Sequence, residues 1–235
     1  MGRVFEKRKH TMFARFDRMA KAFTRIGKDI ALAVKQNGPN PDNNPKLRMA
    51  IQNAKGVNMP KDRVEAAIKR ASSKDEKDYT EVIYEGYAPH GVPVLVLCAT
   101  DNPTRTVANI RLHFSKNNGS MGNSGTVAFM FEHNGVFKFD PAKLNLDELE
   151  LDLIDAGAED IERGEEEIIL YTKFTDFGQM QKFLEEKKLD AKSSELQYLP
   201  SATKELPEDQ QDEVLKLIEA LEGDDDVQSV FHNLA

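Results

Sequence analysis

GVFKFDPAKLNLDELELDLIDAGAEDIERGEEEIILYTKFTDFGQMQKFLEEKKLDAKSSELQYLP, residues 135–200, switches between two hydrophobic periods. GVFKFD, EIILYTKF and SELQYLP read as strands, the first two rich in β-branched and aromatic residues, and a short strand is expected near Asp160–Glu162. Around Leu146–Ala156 and Phe177–Lys188 the apolar residues recur at three and four, the spacing of an amphipathic helix. The order β-α-β-β-α-β predicts a ferredoxin-like sheet with two helices on one face.

The flanks explain each other. Upstream, TEVIYEGYAP and GVPVLVLCATD read as strands, Thr104–Lys116 as a helix and GTVAFMFEH as a further strand, giving β-β-α-β over 79–133. Downstream, DEVLKLIEAL reads as a helix and VQSVFHN as a strand, and neither can bury an apolar face alone. They are expected to return to the upstream unit. One domain is then built from 79–133 plus 201–235, with 134–200 inserted in it, and the predicted fold class is α+β.

The first third is different. Met12, Phe16, Met19, Phe23, Ile26, Ile30 and Ala33 form one helical stripe ending at the Asn37-Gly38-Pro39 turn. Arg18, Lys21, Arg25, Lys28 and Lys35 project to the opposite arc as a basic ridge. A second helix is expected after Asn44, with Pro45 at its first position, and a third around Met59-Pro60, with Val64, Ala67, Ile68 and Ala71 on one face. Residues 1–72 read as a helical bundle, and the apolar-free SSKDEKD at 72–78 as a linker closing a basic domain over 1–78.

The charge is segregated along these boundaries. The chain has a net charge of -8, but residues 1–78 carry 19 Lys/Arg against 9 Asp/Glu, whereas 134–200 carry 8 against 17 and 201–235 carry 2 against 10. An acidic total therefore conceals a basic domain whose natural partner is nucleic acid. Arg18, Lys21, Arg25 and Lys28, with Lys7, Arg8 and Lys9 reaching from the start, are the candidate phosphate contacts; the alternative is an ordinary solvated helix face. A lone cysteine excludes an internal disulfide, no apolar run is long enough to span a membrane, and the basic start has no signal-peptide core. A cytoplasmic monomer is expected.

Several segments resemble one family. IYEGYAPHGVPVLVLCATDNPTRTVANIRLHFSKNNGSMGNSGTVAFMF (83–131) is similar to the diagnostic middle of YebC/PmpR-type proteins, and PNPDNNPKLRMAIQNAKGVNMPKD (39–62) to their helical third. DAGAED at 155–160 and DDVQSVFHN at 225–233 carry the likeness to the C-terminus. The N-terminus GRVFEKRKH keeps the family's basic run at Lys7-Arg8-Lys9-His10 without its usual Ser-Lys-Trp. The resemblance implies three domains, the middle one discontinuous, and no enzymatic activity. It also implies a cytoplasmic DNA-binding transcriptional regulator, or a translational activator like the mitochondrial relatives.

Two motifs have competing readings. Gly119, Gly122 and Gly125 form G-x-x-G-x-x-G, but the loop leads from helix into strand, the reverse of a phosphate-binding loop, so a helix cap and tight turn is expected. In ATDNPTRT, Arg105 lies in the first turn of a helix, where a cation opposes the macrodipole; it holds either a phosphate or a carboxylate. His10, His90, His113, His133 and His232 show no metal-ligand spacing, and Cys98 lies within an apolar strand. No catalytic set, metal or cofactor is expected. No helix start carries an Arg-Asn-Gln cluster suited to base edges, which points to backbone reading of duplex DNA or of ribosomal RNA. The acidic domains are left to shape access or to contact the ribosome or a protein.

Overall fold

A computed structural model describes the backbone of residues 3–73 and 78–235 and the side chains of 19–73 and 78–235. The chain divides into two units, one ending at Asp78 and one beginning at Tyr79. The charged 74–77 portion of the expected linker lies outside the described residues.

The first unit contains α1 (Arg3–Asn37), α2 (Pro45–Gly56) and α3 (Lys61–Ala71), with α2 and α3 both packed on α1. Gly38 adopts φ 84°, a left-handed conformation that costs glycine little, and its N–H closes α1 onto the Val34 carbonyl. Asn44 is fully buried and ties the next turn together. Its side-chain oxygen caps α2 by accepting from Leu47 N–H at 3.0 Å, while its amide donates to the carbonyls of Ala33 at 2.7 Å and Gly38 at 2.8 Å. Ile30 to Val34 are all buried, so α1 has no solvent face over that stretch.

In the second unit, β1 (Thr80–Ala88) and β2 (Val92–Thr100) form a hairpin in continuous register from Thr80↔Thr100 to Ala88↔Val92. After α4 (Pro103–Lys116), β3 (Ser120–Met121) joins the outer edge of β1. The second sheet follows: β4 (Phe131–Phe139), α5 (Leu146–Asp155), β5 (Ala158–Arg163), β6 (Ile168–Lys173), α6 (Phe177–Lys187) and β7 (Ser193–Pro200). The chain then returns through α7 (Glu208–Glu222) to β8 (Val227–His232), which pairs with β2. The sheets run β3-β1-β2-β8 and β5-β6-β4-β7, each antiparallel throughout. The second order is that of a ferredoxin-like fold. The architecture is therefore α+β, a helical bundle followed by two α/β sheets with the second inserted in the first.

Packing explains the return of the tail. Val214, Leu217 and Leu221 of α7 are fully buried against Ile110 and Phe114 of α4 and against Val94, Val96 and Cys98 of β2. Phe137 and Phe139 of β4, with Leu153, Leu170 and Met180, fill the second core.

One expected element is replaced. GTVAFMFEH is not a strand of the first sheet: residues 128–130 form a 3-10 turn, and from Phe131 the chain is already β4, paired with β7 from Phe131↔Pro200 onward. The reason is a carboxylate distant in sequence. The N–H groups of Gly125, Val127 and Ala128, which a ladder would need, are held by the carboxylate of Glu85.

Candidate nucleic-acid interface

The basic helical unit distributes its cations over all three helices. On α1, Lys21 is exposed and Arg25 half-buried, but Lys28 is only 8% exposed. The expected ridge is therefore interrupted at Lys28; Lys35 is exposed again, with its Nζ 2.9 Å from Asp78. Spacings of three, four and three keep residues on one helical stripe but do not say where along the helix its cover begins; here burial begins at Ile26. Lys7, Arg8, Lys9 and Arg18 fall within α1, and their side chains lie outside the described residues.

Further cations were not singled out by the one-helix argument. Lys46, Lys55, Lys61, Arg63, Lys69 and Arg70 are exposed on α2 and α3. Lys46 Nζ donates to Gln36 Oε1 at 2.9 Å, Lys61 faces Glu65 at 3.6 Å and Arg63 lies over the Phe23 ring at 5.7 Å. Arg48 is committed to structure, its guanidinium donating to the carbonyls of Pro41 at 2.8 Å and Asp42 at 3.0 Å. The sequence signal for the wider surface was the charge balance of residues 1–78 as a whole.

Arg105 is resolved between its two readings. Its guanidinium donates to Asp226 Oδ2 at 2.7 Å and to Asp101 Oδ1 at 2.9 Å, and these two hydrogen bonds, the Asp226 one foremost, hold its pKa above the ordinary value. Asp226, buried at the start of β8, also accepts from Thr106 at 2.8 Å and Thr100 at 3.3 Å. The arginine completes a network locking the returning strand to α4. The adjacent cleft is lined by Asp224, Asp225 and Asp226 beside Arg105, Asn109 and His113, an excess of carboxylate that repels phosphate.

The glycine loop has an internal anion. Gly125 N–H donates to Glu85 Oε1 at 2.7 Å, and Val127 and Ala128 N–H to Oε2 at 2.7 and 2.9 Å. Burial pushes this carboxyl up, but the backbone donors from Val127, Gly125, Ala128 and Thr126 together outweigh it and leave its pKa below the ordinary value. The expected helix cap is present at Gly119, whose N–H donates to the Phe114 carbonyl at 2.9 Å, but the rest of the loop is a backbone nest, which that expectation did not include, filled by the protein's own β1 side chain. Gly86 and Gly119 allow the close approach: a Cβ on Gly86 would meet the Ser120 carbonyl at 2.5 Å, and one on Gly119 the Tyr87 carbonyl at 2.9 Å.

Comparison with known proteins agrees with this architecture. Residues 3–74 match the model of the TACO1/YebC protein N-terminal domain, and residues 79–234 that of the TACO1/YebC second and third domain. Among curated relatives, a "Probable transcriptional regulatory protein" of Anaeromyxobacter dehalogenans (strain 2CP-C) is 59% identical, with all of both chains covered. One of the same description from Myxococcus xanthus is 57% identical over all of both chains. A crystal structure of a conserved hypothetical protein, Aq1575 from Aquifex aeolicus, is 38% identical and superposes with a TM-score of 0.81, covering 92% of this chain and 90% of that one. With both family models matched end to end along the chain, this protein belongs to the TACO1/YebC family.

Proposed function

We propose that the protein is a non-enzymatic regulator of gene expression that grips nucleic acid by its phosphate backbone through the helical unit. The observation that carries this reading is the segregation of charge, a balance of +10 within residues 1–78 beside an acidic remainder. Relatives described as probable transcriptional regulatory proteins support a regulatory role and favour duplex DNA as the target. Structured ribosomal RNA is the second reading, favoured by the start of α2, where Arg48 is turned back onto the carbonyls of Pro41 and Asp42 and is not presented to base edges.

The phosphate surface on α1 comprises Lys7, Arg8, Lys9, Arg18, Lys21 and Arg25; Lys28 is covered, and Arg105 is engaged by Asp226 and Asp101. Changing Arg18, Lys21 and Arg25 together to Gln is expected to reduce the salt dependence of binding, d log K/d log[salt], by about two to three in magnitude. Titrations of duplex DNA and of a structured ribosomal RNA fragment at stepped salt check this, and a larger loss on one identifies the target. Wild-type affinity and slope on both would remove this surface from the mechanism.

A further inference from the structure

Thirteen phenylalanines occur in the chain, and those of the described residues are largely covered, yet Phe129 is 73% and Phe174 52% exposed. Both lie at the same end of the second sheet, Phe129 in the turn leading into β4 and Phe174 just beyond β6. Phe174 is the outer ring of a column. It stacks on His133 of β4 at 4.5 Å and 21°, and His133 stacks on Tyr198 of β7 at 4.4 Å and 5°. Tyr198 is braced edge-on by Phe231 of β8 at 5.5 Å, which anchors the column to the seam between the sheets. An exposed aromatic face held flat by two rings beneath it is preorganised for a planar partner.

The surrounding charge selects that partner. Residues 79–235 carry 13 Lys/Arg against 31 Asp/Glu. At this end of the sheet Asp176 follows Phe174 by two residues and, with Glu159 at 3.1 Å, flanks the cation of Lys173 with two carboxylates, and burial together with the charge of Glu81 raises the pKa of Tyr198 at the inner end of the column. A phosphate-bearing strand would be repelled here. A guanidinium is planar, stacks on an aromatic face, carries the complementary charge and is more weakly hydrated than an ammonium.

We infer that the Phe174–His133–Tyr198 column is a docking platform for an arginine side chain from a basic segment of a protein partner. Phe174 supplies the stacking face and the carboxylates around it supply the field. Burial lowers the His133 pKa, which disfavours a charge on the middle ring that would oppose the incoming cation. The column is built wholly from residues of the second unit, and the inference does not depend on nucleic-acid binding by the first.

The test uses the full chain with a fluorescein-labelled arginine–glycine repeat peptide and its lysine–glycine counterpart. Equal charge in the two probes removes the general attraction of an acidic surface. The arginine peptide is expected to bind about three- to thirtyfold more tightly. Phe174→Leu abolishes the preference while leaving the lysine peptide's affinity unchanged, Phe174→Tyr retains it, and Asp176→Asn weakens both peptides alike. Melting temperatures confirm that each variant is folded. Absence of an arginine preference in the wild type, or its persistence in both Phe174→Leu and a Phe174→Ser variant, overturns the proposal. So does an unstructured RNA dodecamer whose binding requires Phe174 when the arginine peptide's does not, since the occupant is then a base.

Discussion

Glu85 shows how a single residue decides the course of a loop. The residue is 5% exposed and its carboxylate accepts from backbone donors, so it acts as an internal anion around which residues 125–128 fold. Glu85→Gln preserves the shape but turns an amide toward N–H groups, and is expected to cost about 2–4 kcal/mol, read by denaturant unfolding. The pH dependence follows from the lowered pKa. The folded state favours the ionised form, so this stabilisation is complete above the unfolded carboxyl pKa and is lost as pH falls through the lower, folded value. Wild type should therefore lose stability with acid more steeply than Glu85→Gln, and parallel curves for the two would show that the nest contributes no such linkage. Lys28 teaches the converse: its place in the 3.6-residue repeat was legible, its burial was not, because burial depends on what packs over the helix.

At the scale of elements, the returning tail is the least local feature of the fold. β8 pairs with β2 across more than a hundred residues, from Val94↔His232 to Cys98↔Val227, and α7 contributes Val214, Leu217, Ile218 and Leu221 to the core over that sheet. We propose that 79–133 with 201–235, and 134–200, are separately stable. Deleting 207–235 would uncover Val94, Val96 and Cys98, a loss beyond any single large-to-small core substitution. The expected outcome is rapid hydrogen exchange throughout β2 with protection retained in β4 and β6. Unchanged protection of β2 would show that α7 and β8 are not needed for the first sheet. The tail's pairing was readable as an argument from need, since an amphipathic helix and a lone strand must find a sheet. The fate of GTVAFMFEH was not, because Val127, Ala128, Phe129 and Phe131 satisfy a strand pattern whether or not a distant carboxylate takes their N–H groups.

For the whole molecule, the organising fact is opposite charge on two units. If phosphate contacts reside in the first unit, residues 79–235 alone should show no salt-dependent binding to duplex DNA or ribosomal RNA at concentrations where the full chain is saturated, as measured by anisotropy. Binding by that fragment with a steep salt slope would move the nucleic-acid surface into the acidic unit. Among the described residues no helix is long and apolar enough to cross a membrane. By itself the sequence determined the helical third, the ferredoxin-like order of 134–200, the need for the tail to return, and the basic and acidic halves. All of these follow from periodicity and composition, which are local properties of the chain. Only the tertiary structure decided that Arg105 holds Asp101 and Asp226, that the glycine loop encloses Glu85, that Lys28 is covered, and that Phe174 crowns a stacked column. Each depends on a partner distant in sequence, and a spacing rule names the groups that need a partner without saying which one reaches them.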